Sequence, residues 1–423
     1  MASKSKSIRG FLQVVGPGII TGASDDDPSG IGTYAIAGAT LGFGVLWTAL
    51  FTFPMMTAVQ YICAKVGLVT GRDIAGVLRR HYGKWLLYPV ILGLVVANTI
   101  NAGADIGAIA AAINLLIPIP PVVLIVPIAL LIVSFQILGS YRLIVNIFKW
   151  LTLALLAYIG SAFFAKPDWA QVFRGTFIPT FNLDAKTLAT LVALLGTTIS
   201  PYLFFWQASE EVEEEISTGR KRLWQRKGAT TMELEYAAAD TTVGMFFSNL
   251  VMYFIILATA ATLFQSGKTD IHSATDAAEA LRPLAGDAAS FLLAIGLIGS
   301  GLLAVPILTG SAAYAFAEIG EWKAGLNEKP NRAKQFYATI TGSTLVGMLI
   351  NFVGINPIDA LYWTAVINGL IAPPLLIVVM LISNNKEIMG RRVNGLGVNL
   401  LGWITTLTML AASIGLIVTW GKP

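Results

Sequence analysis

The chain has 423 residues, 55% of them apolar and 12% charged, with a positive mean hydropathy. One water-surrounded core cannot bury that much hydrocarbon, so lipid is the expected solvent. A net charge of +4 is modest and implies no nucleic-acid partner.

Apolar stretches of about 20 residues, each long enough to cross about 30 Å of hydrocarbon as a helix, recur along the whole length. Eleven are expected, over 16–41, 43–64, 86–116, 120–139, 142–164, 187–211, 241–265, 286–316, 335–354, 358–383 and 396–419. They are continuously apolar rather than alternating, which excludes a barrel and requires backbone polarity to be satisfied within helices. The fold class expected is therefore an all-α integral membrane protein, one transmembrane domain over 1–423 with the bilayer as its partner.

Lys and Arg collect on the cytoplasmic side of membrane proteins. With the N-terminus inside, Lys4, Lys6, Arg9, Lys65, Arg72, Arg79, Arg80, Lys84, Arg142, Lys149, Arg220, Lys221, Arg222, Arg226, Lys227, Lys323, Lys329, Arg332, Lys334, Lys386, Arg391 and Arg392 fall on cytoplasmic ends. Only Lys166, Arg174, Lys186, Lys268, Arg282 and Lys422 fall outside. The expected location is the cell (plasma or inner) membrane, with the N-terminus cytoplasmic and the C-terminus outside.

The first apolar run is not read as a signal peptide. It contains Asp25, Asp26 and Asp27, another span follows directly, and no small-residue cleavage pattern closes it. Cys63 has no cysteine partner for a disulfide or a thiolate metal site. His81 and His272 both fall in predicted loops, leaving no intramembrane imidazole as relay or ligand.

Ionisable groups in hydrocarbon cost about 2.5–3.5 kcal/mol each on insertion scales, so they mark function by default. The first span runs Gly16-Pro17-Gly18-Ile19-Ile20-Thr21-Gly22-Ala23-Ser24-Asp25-Asp26-Asp27-Pro28-Ser29-Gly30, with three carboxylates about halfway across. Pro28 removes a backbone donor and disfavours helical geometry at Asp27, so the helix is expected to break there and expose carbonyls such as that of Ser24. The sixth span carries a matching interruption, Gly196-Thr197-Thr198-Ile199-Ser200-Pro201-Tyr202. Broken helices at corresponding positions of two halves point to a transporter site, because freed carbonyls and half-helix ends coordinate cations. The spacing suggests inverted five-helix repeats, about 11–164 and 186–383, plus an extra helix over 396–419. Successive side chains are about 100° apart, so the three aspartates cannot all face one ion. Asp27 is expected to meet it, with Asp25 or Asp26 turned away.

These residues resemble the Nramp family of divalent-metal transporters, which share the leucine-transporter fold. That family has Asp-Pro-Gly-Asn in its first span, after a Gly-Pro pair placed like Gly16-Pro17, and Met-Pro-His in its sixth. The resemblance covers nearly the whole chain, including Asn385-Lys386-Glu387-Ile388-Met389-Gly390 after the tenth span. The departures carry information. Gly30 stands where the family has its metal-binding Asn, and Ser200 where it has its metal-binding Met. A thioether suits soft transition metals and is of no use to hard Mg²⁺. A wide all-oxygen site suits a partly hydrated ion, since Mg²⁺ gives up water reluctantly. Tyr202 and Gln207 replace family histidines. Two acidic residues associated with proton movement align with Asn101 and Ala104, anchored on Ile106-Gly107. These changes resemble the Nramp-related magnesium transporters, a branch implied to move Mg²⁺ and Mn²⁺ without proton coupling.

Asp105 complicates that picture. With Asn98 and Asn101 it forms an i, i+3, i+7 polar stripe, readable as an ion path, as a carboxylate hydrogen-bonded to neighbouring helices, or as a proton carrier. Glu210, Glu211, Glu213, Glu214 and Glu215 read as a solvated helix end more readily than as an ion collector. Asn368 in the tenth span either approaches the site on closure or bonds across helices. Trp47, Trp85 and Trp403 read as interfacial anchors.

Among rival functions, a coupled carrier of small organic solutes would present a helix N-terminus to a substrate carboxylate, which the aspartates would repel. An intramembrane aspartyl protease needs Gly-Leu-Gly-Asp, of which Ala102-Gly103-Ala104-Asp105 is a poor echo. Broken helices suit alternating access better than a channel. The expectation is a transporter, not an enzyme, with no cofactor and with Mg²⁺ or Mn²⁺ as cargo. Asp27 would supply the essential charge, Ser24 and Thr197 carbonyl oxygens, and Gly30 and Ser200 room for water. Asp26, Asn98, Asn101, Asp105, Tyr202, Gln207 and Asn368 would form a second shell or ion path.

Overall fold

The computed structural model describes residues 16–138, 153–180, 184–269, 271, 273–326 and 328–420. Lys4, Lys6, Arg9, Arg142, Lys149, His272, Lys422 and residues 142–152 of the expected fifth span lie outside the described residues.

Every regular element among the described residues is helical. The first span is split into α1 (Pro17–Asp25) and α2 (Pro28–Leu41). Then come α3 (Trp47–Thr70), the short α4 (Ile74–His81), α5 (Lys84–Leu116) and α6 (Pro121–Leu138). After α7 (Ala157–Phe164) and α8 (Trp169–Phe177), the sixth span is split into α9 (Ala185–Thr198) and α10 (Pro201–Ser217). The remaining long helices are α11 (Thr231–Thr259), α12 (Ala289–Gly320), α13 (Lys334–Leu349), α14 (Pro357–Asn384) and α15 (Leu396–Thr419).

Among the described residues eight helices are long and apolar enough to cross a membrane, counting α9 with α10 as one, against the eleven expected over the whole chain. The first span misses because its halves are 9 and 14 residues long, α13 has 16 residues, and the fifth span is described only from residue 153 onward. Helix α11 begins ten residues before the apolar run, because Thr230 and Glu233 form a capping box that starts the helix in a polar stretch.

The two breaks share one backbone form. Asp26 (φ −84°, ψ 54°) and Ile199 (φ −117°, ψ 56°) leave helical geometry, Asp27 (ψ 168°) and Ser200 (ψ 129°) are extended, and Pro28 and Pro201 open the next half-helix. A proline at the first helical position needs no amide partner and pushes the preceding residue to extended geometry.

Small residues bring the half-helices against their neighbours. A Cβ on Gly22 of α1 would collide with the backbone of Gly244 on α11, and one on Gly196 of α9 with the backbone of Ala365 and Gly369 on α14. Such close approach is how helices associate where lipid supplies no hydrophobic drive. Two apolar clusters flank the breaks: one holds Met56, Phe204 and Trp206, the other Ile31, Ile255 and Leu361. Trp85 is exposed while Trp47 and Trp403 are half-buried. Glu211 and Glu215 are buried rather than solvated: Glu211 accepts from Gln207, and Glu215 pairs with Arg220 at 2.8 Å.

Candidate cation site at the two helix breaks

Asp27 caps α2. Its Oδ1 accepts from the Gly30 amide and the Ser29 hydroxyl, both at 2.7 Å, and its Oδ2 from Asn101 Nδ2 at 3.0 Å. A carboxylate has about four acceptor directions. Three are filled, and Oδ2 keeps one open. The positive end of α2 favours negative charge here, which helps hold a carboxylate that is only 1% exposed.

The second break closes around Gly30. A Cβ placed on Gly30 would lie 3.1 Å from Thr197 Oγ1, 3.4 Å from the Asp25 carbonyl oxygen and 3.4 Å from Tyr34 Cε2. The spot left by the missing side chain is thus bordered by oxygen. The Tyr34 hydroxyl lies beside the Thr197 side chain, and both residues are buried.

The structure distributes the expected site residues as follows. Asp27, Gly30, Thr197 and Asn101 are brought together. The Ser24 carbonyl accepts from Tyr202 across the two breaks at 2.8 Å, and the Thr197 carbonyl accepts from Ser200 Oγ at 2.6 Å. Those carbonyls already carry donors, and the Asp25 carbonyl and Thr197 hydroxyl take the positions nearest Gly30. Gln207 accepts from Thr21 at 2.5 Å and donates to Glu211 at 2.9 Å, tying α1 to α10. Asn98 donates to the Leu308 carbonyl on α12 at 3.0 Å. Asp105 is fully buried near Asp27 and the Ser29 backbone. Neither of its oxygens has a side-chain hydrogen-bond partner among the described residues. Asn368 is buried on α14, and its Nδ2 has no hydrogen-bond partner among the described residues. Asp26 turns toward α11, where Ser248 Oγ is 3.4 Å from its Oδ1.

Sequence reasoning missed Tyr34, the Asp25 carbonyl, Ser248 and Asp240. Asp240 caps α1 from another helix: its Oδ2 accepts from the Gly18 amide at 2.6 Å, where the N-cap Gly16 has no side chain to offer. A triple glycine pattern at 16, 18 and 22 was the available signal for a close neighbour. Among the described residues no three His, Cys, Asp or Glu side chains converge to hold a metal.

Cavities lie on both sides of the closed site. One of about 430 Å³ is lined by Ile36 and Thr40 on α2 and Ala189 and Thr190 on α9. At 1.5 Å per residue its lining stands roughly 10 Å from Gly30 and Thr197. The other, of about 230 Å³, is lined by Asp73, Ser209 on α10 and Glu318 on α12. Taken as one candidate span, Ala185–Ser217 has the first cavity near its start, at Ala189 and Thr190, and the second near its end, at Ser209.

Two proline-started half-helices meeting at a buried carboxylate between opposed cavities define a broken-helix membrane transporter of the leucine-transporter fold. The chain belongs to the Nramp family (natural resistance-associated macrophage protein-like), which it matches over residues 18–419. It is 26% identical to the divalent metal cation transporter MntH of Bacillus subtilis (strain 168), over 98% of this chain and 94% of that protein. Its fold is similar to that of the Eremococcus coleocola manganese transporter, with TM-score 0.75 and 17% identity over 100% of this chain and 91% of that one. A more distant likeness in fold is to Mhp1, a nucleobase-cation-symport-1 family transporter, with TM-score 0.57 and 14% identity over 96% of this chain and 94% of that one.

Proposed function

We propose that the protein moves divalent metal ions across the cell membrane by alternating access, with Mg²⁺ and Mn²⁺ as cargo and without obligatory proton coupling. It is not an enzyme. Family membership supports the divalent-metal part, as do relatives described as divalent-metal and manganese transporters. The observation that carries the cargo choice is the chemistry around Gly30. Carboxylate, hydroxyl and carbonyl oxygens border it, and Ser200 stands at the second break where a thioether would favour softer metals.

In this reading Asp27 Oδ2 binds the ion, the Thr197 hydroxyl and Asp25 carbonyl supplement it, and water fills the space that Gly30 and Ser200 leave. Ser24 and Tyr202 hold the two breaks in register. The polar stripe of Asn98, Asn101 and Asp105 supports a path alongside the site, with Gln207 and Asn368 on neighbouring helices. An inside-negative potential drives uptake with about 2.3 kcal/mol per charge per 100 mV, twice that for a divalent ion.

Asp105 favours a second reading, proton-coupled transport of Mn²⁺ or Fe²⁺, because a buried carboxyl with no side-chain hydrogen-bond partner among the described residues must be neutralised by a proton or a nearby cation. Flux of Mg²⁺ and Mn²⁺ into liposomes holding the purified protein, with internal pH recorded in parallel, decides between them. The proposal expects metal entry without acidification, and acidification that tracks entry would replace it with the coupled reading.

A further inference from the structure

Among the described residues one Lys or Arg is buried: Lys65, in the last two turns of α3, which is 4% exposed. Its ammonium donates to the Val393 carbonyl and to Asn394 Oδ1, both at 3.0 Å. Both acceptors are neutral, and both lie in the turn between α14 and α15, which Asn394 ties back to Ser383 Oγ at 2.9 Å. Arg392, the residue before Val393, reaches the start of α11, where its Nη2 donates to Thr231 Oγ1 at 3.1 Å. The end of α3, the start of α11 and the turn into α15 therefore meet around two cations.

No carboxylate answers them. Lys65, Arg391 and Arg392 are in no ion pair among the described residues. Glu387, four residues before Arg391, and Glu235, one turn into α11 from Thr231, are exposed and pair with none of the three. An ammonium has three N–H donors and a guanidinium five, so one donor on Lys65 and four on Arg392 have no acceptor among the described residues. Buried charge requires a partner. A phosphodiester has the right chemistry, since its oxygens suit the guanidinium fork and carry one negative charge.

The surroundings decide which phosphate. Beside Thr231 on α11, Met232 is 78% exposed, and Tyr236 one turn on is exposed too. On α15, four residues past Arg392, Leu396 is 87% exposed, and Leu400 continues that face. Helix α3 packs against both helices, and Tyr61 stands one turn from Lys65 on the same face. Apolar flanks running from a cationic joint fit acyl chains attached to the phosphate and offer a free anion nothing. Two cations outnumber the single charge of a phosphodiester, so a headgroup with its own ammonium is repelled.

We propose that Lys65 and Arg392 bind the phosphate of an anionic phospholipid whose chains lie along α11 and α15, fastening α15 to the bundle. Basic pockets between membrane helices take anionic headgroups on this principle.

Equilibrium binding of fluorescent phosphatidylglycerol to the purified full-length transporter in a neutral detergent tests this. Unlabelled phosphatidylglycerol, phosphatidylcholine with the same chains, and inorganic phosphate serve as competitors. Saturable binding of about one lipid per transporter is expected, displaced at least about ten-fold less well by phosphatidylcholine and not by inorganic phosphate at equal concentration. Arg392→Gln is expected to weaken it about ten-fold, as is Lys65→Gln, which keeps a donor for the Val393 carbonyl. Arg332→Gln, which alters an exposed cation in no ion pair, is expected to leave affinity unchanged. Monodisperse elution of each variant separates loss of the site from loss of the fold. Non-saturable binding, equal displacement by phosphatidylcholine or inorganic phosphate, full affinity in folded Arg392→Gln, or an equal loss in Arg332→Gln overturns the proposal.

Discussion

Asn101, at mid-length in α5, donates to Asp27 Oδ2 across 3.0 Å, so a helix outside both breaks aims the carboxylate that faces the second break. Asn101 Oδ1 has no hydrogen-bond partner among the described residues, so among them the bond to Asp27 is the one hydrogen bond its side chain makes. Removing a hydrogen bond to a charged group costs about 1.5–3 kcal/mol. Asn101→Ala is expected to raise the KM for metal uptake about ten-fold or more while the protein stays folded. An unchanged KM would remove Asn101 from the site.

Gly30 sets the width of the site. In Gly30→Ala the new methyl group would stand 3.1 Å from Thr197 Oγ1 and 3.4 Å from the Asp25 carbonyl, in the space assigned to water. Mg²⁺ keeps several waters when bound, so its uptake is expected to fall several-fold more than that of Mn²⁺. Competition flux with both ions checks this. Equal losses would show that the space at Gly30 does not select.

Tyr202 joins α10 to α1 through its bond to the Ser24 carbonyl. Tyr202→Phe keeps the ring and leaves a buried carbonyl short of a donor, at a cost of about 1–3 kcal/mol. A lower thermal midpoint of the detergent-solubilised protein is expected. If the midpoint is unmoved, the link between the breaks is not structural.

Asp73, between α3 and α4, caps α4 through the Gly76 amide at 2.6 Å. Burial, and next the negative charge of Glu318, push its carboxyl from 3.8 up to about 8. The folded protein thus binds a proton that the unfolded chain releases near pH 4. This contribution to stability is complete below about pH 4 and is lost as pH rises through about 8. Thermal stability is expected to decline toward alkaline pH, with a flatter profile in Asp73→Asn, which retains a good cap. Identical profiles would contradict the assignment.

The breaks were legible in the sequence because their causes are local: Pro28 and Pro201 act on the residues immediately before them. The placement of Asp27 at the first break was legible too, since a residue preceding a proline at mid-span falls where the helix must restart. What Asp27 touches was not, because Asn101 is 74 positions away and periodicity gives its helix face but no partner. The carbonyl next to Gly30 belongs to Asp25 rather than Ser24, a difference set by the rotation of chain at Asp26 (ψ 54°), which composition does not encode. Ser248 and Asp240 act through the crossing of α1 with α11, a packing that Gly18, Gly22 and Gly244 permit without announcing which helices meet. The helix ends misread in α11 and α13 reflect a plain limit: apolarity marks what lipid covers, whereas caps mark where helices start.

Metal flux into liposomes at a fixed inside-negative potential, with unmodified protein against Asp27→Asn, addresses the account most directly. The substitution preserves shape and an acceptor oxygen while deleting the charge placed at the meeting of the two breaks. Mg²⁺ and Mn²⁺ uptake is expected to drop to the level of empty liposomes in a protein that elutes as a single folded species. Uptake equal to that of the unmodified protein would contradict the site, and with it the route assigned to the ion.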